Sequence, residues 1–67
     1  MNTDAVEGLK HARAALARQR DALAKRIGAI ALAPVSMAED LTRVLIAIEA
    51  VDRALADAGH PHLDVEG

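Results

Sequence analysis

The sequence predicts an all-α fold. It is an antiparallel two-helix hairpin, with helices over about residues 4–32 and 37–58, that dimerises into a four-helix bundle. Three observations carry this. Apolar residues recur at spacings of three, four and seven in both halves of the chain, the period of one helix face. Pro34 interrupts that pattern at mid-chain, because proline lacks a backbone N–H and clashes with the turn before it. Hydrophobic residues make up 52% of the 67 positions, more than two helices lying side by side enclose; a second copy with two-fold symmetry covers the remaining flanks. Residues 1–67 form a single domain, in which 59–67 are a C-terminal tail.

The first helix begins at Asp4, an N-cap type, with Glu7 at the third helical position. Leu9, Leu16, Leu23 and Ile30 recur every seven residues, with Val6 and Ile27 offset by three. They make one apolar stripe. Gly28 is a candidate stop, but Ile30 and Ala31 keep the phase, so the helix is expected to continue to about Leu32. Arg13 and Arg20 interrupt the seam. Their stems pack at the stripe's edge while their heads reach acids on the other helix. In a hairpin bent at Pro34, facing residue numbers sum to about 68. Arg20 is thereby placed near Glu49 and Asp52, and Arg13 near Asp52 and Asp57.

The bend is read from Pro34 and from Ser36, an N-cap type whose partner Glu39 lies three residues on, the pattern of a capping box. Residues 27–38 carry no charge. Loops between helices are ordinarily polar, so an apolar tip with Ile30, Leu32, Val35 and Met37 marks an interface, either within the oligomer or with another protein.

Leu41, Val44, Leu45, Ile48, Val51 and Leu55 form the second stripe. The expected seam pairs Leu9, Leu16, Leu23 and Ile27 with Leu41, Leu45, Ile48 and Leu55. Ala47, Ala50, Ala54 and Ala58 make a small-residue face that lets a helix approach closely, and Ile46 projects about 140° from the stripe's centre. The helix stops near Ala58, with Gly59 as the C′ residue and Pro61 after it.

Composition narrows function by exclusion. With no cysteine, disulfides and thiolate metal sites are absent. With no Phe, Trp or Tyr, base-stacking platforms are absent too. No apolar run approaches the roughly 18 residues of a membrane span, and the start lacks a signal peptide's basic and apolar regions; a cytoplasmic location is the expectation. Charge is uneven: residues 1–32 carry six bases against three acids, and 33–67 two bases against seven acids. Arg13, Arg18, Arg20 and Lys25 are the candidates for a nucleic-acid face, but the basic residues of the first helix are scattered around its axis, which counts against that role. His11, His60 and His62 match no strong metal motif, so no metal or other cofactor is expected. No nucleophile–base set, paired carboxylates or Gly-rich phosphate loop is present, so the chain is not expected to be an enzyme.

The function expected is a small protein–protein interaction module, an adaptor, small chaperone or inhibitor, that self-associates as a homodimer and meets another protein at its tip or alanine face. In architecture alone such a dimer is similar to ROP, the plasmid RNA-binding hairpin dimer. That likeness implies a nucleic-acid regulator as one alternative, carried by no residue motif. A structural assembly subunit is the other.

Overall fold

The computed structural model describes residues 2–60. Two helices, α1 (Thr3–Gly28) and α2 (Val35–Asp57), pack against each other as a hairpin, with no strand among the described residues. The molecule measures 45 × 25 × 15 Å. Its thinnest dimension is little more than one helix diameter, about 10–12 Å, so the hairpin is a single layer.

α1 starts earlier than expected. Asn2, not Asp4, is its N-cap: the Asn2 side-chain oxygen accepts the Ala5 N–H at 2.8 Å. Asparagine caps as well as aspartate. Capping at residue 2 leaves Asp4 in the first turn, where its charge favours the positive end of the helix dipole. α1 also ends earlier, at Gly28 rather than near Leu32. The last turn tightens, with the Ala29 N–H donating to Arg26 O at 3.2 Å and the Ile30 N–H to Ile27 O at 3.3 Å. Such i→i−3 bonds are a common way for a helix to unwind. Glycine supports the helix weakly at this point, and the apolar phase of Ile30 and Ala31 does not outweigh it.

α2 starts at Val35, and Pro34 is its N-cap. The proline φ of −60° with ψ of 143° presents the Pro34 carbonyl to the Met37 N–H at 3.1 Å and the Ala38 N–H at 3.4 Å. The expected capping box is absent: Ser36 lies inside the first turn, the cap carries no side-chain bond, and the Glu39 carboxylate lies 3.7 Å from Arg43. A cap at Ser36 would leave Val35 outside the helix, whereas proline's locked φ lets the helix begin directly after it. The far end is as expected. Gly59 has φ +82°, and its N–H donates to Ala56 O at 3.0 Å while the His60 N–H donates to Leu55 O at 2.8 Å. This is a Schellman closure, which needs a left-handed residue and so favours glycine. Pro61, and the rest of the tail beyond His60, lie outside the described residues.

The buried core is thin. Among the described residues, Val6, Ile48 and Leu55 are the buried hydrophobic residues, and Arg13 is buried with them. Leu9, Leu16, Leu23 and Ile27 on α1, and Leu41, Val44 and Val51 on α2, are half-buried.

Candidate functional site

The chemistry between the helices is concentrated at Arg13. Only 6% exposed, it donates from Nε to Asp52 Oδ1 at 3.1 Å and from Nη2 to Asp52 Oδ2 at 3.4 Å. Two parallel bonds of this kind hold a guanidinium and a carboxylate in one plane. Their residue numbers sum to 65, less than the expected value of about 68. The difference follows from the early end of α1, which centres the loop between Ala31 and Leu32 rather than on Pro34. Arg20 does not reach α2's acids as expected. Its Nε donates to Asp21 Oδ1 at 3.0 Å, a neighbour on its own helix. Arg18 and Lys25 are exposed. Seven residues apart, they fall on one side of α1. The four basic candidates are therefore divided: one in the seam, one ion-paired locally, two solvated.

The expected seam residues Leu9, Leu16, Leu23, Ile27 and Leu41 are half-buried, and Ile48 and Leu55 are buried. Leu45 is the exception at 46% exposure. It sits three residues before Ile48, far enough around the helix to leave the contact, and shows one flank of α2 to solvent. Ile46 is exposed as well. Of the small-residue face, Ala47, Ala54 and Ala58 are half-buried beside α1, while Ala50 is exposed.

The tip is apolar and open. Leu32 is 89% and Val35 72% exposed, and Ile30 is exposed too. Met37 alone of the expected tip residues is half-buried. Beside the tip, a groove of about 450 Å³ runs between the helices, lined by Gln19, Ala22, Leu23 and Arg26 of α1 and by Asp40, Arg43 and Val44 of α2. Its floor is apolar and its rim charged; Arg43 pairs with Asp40 at 3.1 Å. The groove was not foreseen from sequence. Its signal is the run Gln19, Ala22, Leu23, Arg26, which are near neighbours on one helix face at spacings of three and four.

His11 and His60 are exposed, and His62 lies outside the described residues. Among the described residues, no group of three His, Asp or Glu side chains is placed to hold a metal ion. No helix among them is long and apolar enough to cross a membrane. Compared with known proteins, the chain matches no family model, no curated protein and no solved structure.

Proposed function

We propose that this hairpin is a non-enzymatic protein–protein interaction module that self-associates through its apolar helix faces, serving as an adaptor, small chaperone or inhibitor. The observation behind the proposal is the mismatch between composition and burial. Half of the chain is hydrophobic, yet among the described residues only Val6, Ile48 and Leu55 are hydrophobic and buried within the hairpin. Leu32, Val35, Ile30, Leu45 and Ile46 stay exposed. Leu9, Leu16, Leu23 and Leu41 are covered only in part, and apolar surface in that amount favours association. Sedimentation equilibrium on the purified chain tests the proposal. It predicts a dimer at micromolar concentration; a folded, fully helical monomer there contradicts it.

A further inference from the structure

We propose that the second copy lies face to face on this hairpin with both tips at the same end, on a two-fold axis parallel to the helices, so that α1 of each copy packs on α2 of the other. This names the partner and geometry of the association proposed above and rests on it.

The face is set by the groove. Leu23 and Val44 line it, and helical spacing continues the same side through Leu16 on α1 and Ala47, Val51 and Ala54 on α2. All six are half-buried, and Leu23 and Val44 open into the groove. The alanines leave room for a close helix.

Two-fold symmetry allows this face to meet its copy in two ways. An axis across the helices puts the tips at opposite ends and lays α1 on α1 and α2 on α2. An axis along the helices puts the tips together and lays α1 on α2. Touching helices are antiparallel in both, so their dipoles do not choose between them. Charge does. α1 holds six bases and three acids, a net of +3, and α2 holds two bases and five acids, a net of −3. Tips apart stacks like on like; tips together sets each helix against its opposite, the complementarity that fixes register at interfaces. Arg26 and Asp40 line the same groove and fall within one residue of the register set by the Arg13–Asp52 pair, so they lie near one height. A parallel axis preserves height, so Arg26 of each copy faces Asp40 of the other.

The tip gives the same answer. Ile30, Leu32 and Val35 are exposed in a stretch without charge. Tips together brings the two apolar patches side by side, where each screens the other from water. Tips apart leaves one at either end of the bundle.

The chain has no cysteine, so a single Leu32→Cys substitution at the exposed tip carries a nitroxide label at one place only. Ala33→Cys, also exposed, repeats the measurement at a site with less apolar surface to lose. Pulsed dipolar spectroscopy on the full chain then reads the distance between copies. Tips together gives about 20–25 Å at both sites, from helix separations of about 8–10 Å plus the label arms. Tips apart gives a distance near the 45 Å long axis or beyond it. That long distance in a confirmed dimer overturns the arrangement and leaves self-association standing. Absence of any dipolar signal from a chain that sediments as a monomer overturns both.

Discussion

Arg13 is the residue on which the register of the hairpin turns. A guanidinium that is 6% exposed is costly to bury unless its charge is matched. Asp52 matches it with two hydrogen bonds across the helix interface. Because the Asp52 side chain remains 34% exposed, water screens part of the attraction, and the larger effect lies in what is left behind when the carboxylate goes. Asp52→Ala should therefore destabilise by about 2 kcal/mol, the cost of stripping two hydrogen bonds from a buried charge. Arg13→Met combined with Asp52→Leu should recover most of that loss. Urea denaturation at fixed protein concentration measures both, and equal stability of Asp52→Ala and wild type would place the arginine's compensation elsewhere. The Arg13–Asp52 pairing is legible in sequence from the charge asymmetry and antiparallel register. The partner of Arg20 is not. Asp21 is adjacent to it, and a one-residue reach across a helix surface competes with an interhelix reach in a way that spacing alone does not rank.

At the scale of the elements, the two helices are built alike but ended differently. α1 is capped by the Asn2 side chain, α2 by the proline backbone alone. Asn2→Ala should cost about 1 kcal/mol, a typical value for a lost N-cap. Ser36→Ala should stay within about 0.5 kcal/mol of wild type, as a surface change that breaks no cap. Thermal melts followed by circular dichroism compare the two directly. A larger loss from Ser36→Ala than from Asn2→Ala would restore the capping box at the bend. The existence and orientation of both helices are written in the period of Leu9, Leu16 and Leu23 and of Leu41, Ile48 and Leu55. Their ends are less so. Ser36 and Glu39 satisfy a capping pattern, yet Pro34 two residues earlier starts the helix, because a fixed φ and a free carbonyl suffice at an exposed N-terminus. Gly28 and Gly59 look alike in sequence. Gly59 adopts positive φ and closes α2, whereas Gly28 is the last helical residue of α1.

For the whole molecule, the governing fact is that two helices make a thin layer with a small core among the described residues. The candidate surface was legible where periodicity marks it, in the alanines of α2 and the uncharged tip. It was not legible at the groove beside the tip, since Gln19, Arg26, Asp40 and Arg43 belong to different helices and are brought together only by the observed register. Leu16 lies at the middle of the face assigned to the second copy. Leu16→Asp should abolish both the dimer and the cooperative helical melt, since it sets an unpaired carboxylate against leucines and alanines; helicity and sedimentation unchanged by that substitution would move the face elsewhere. The most direct test is the dependence of the melting temperature on protein concentration. Folding coupled to association raises the melting temperature with concentration by mass action, so a hundredfold increase should shift the midpoint upward by several degrees, about 2.7 kcal/mol of linkage spread over a small domain. A cooperative melt at one temperature across that range, with the chain sedimenting as a single copy, would contradict a hairpin that depends on its second copy.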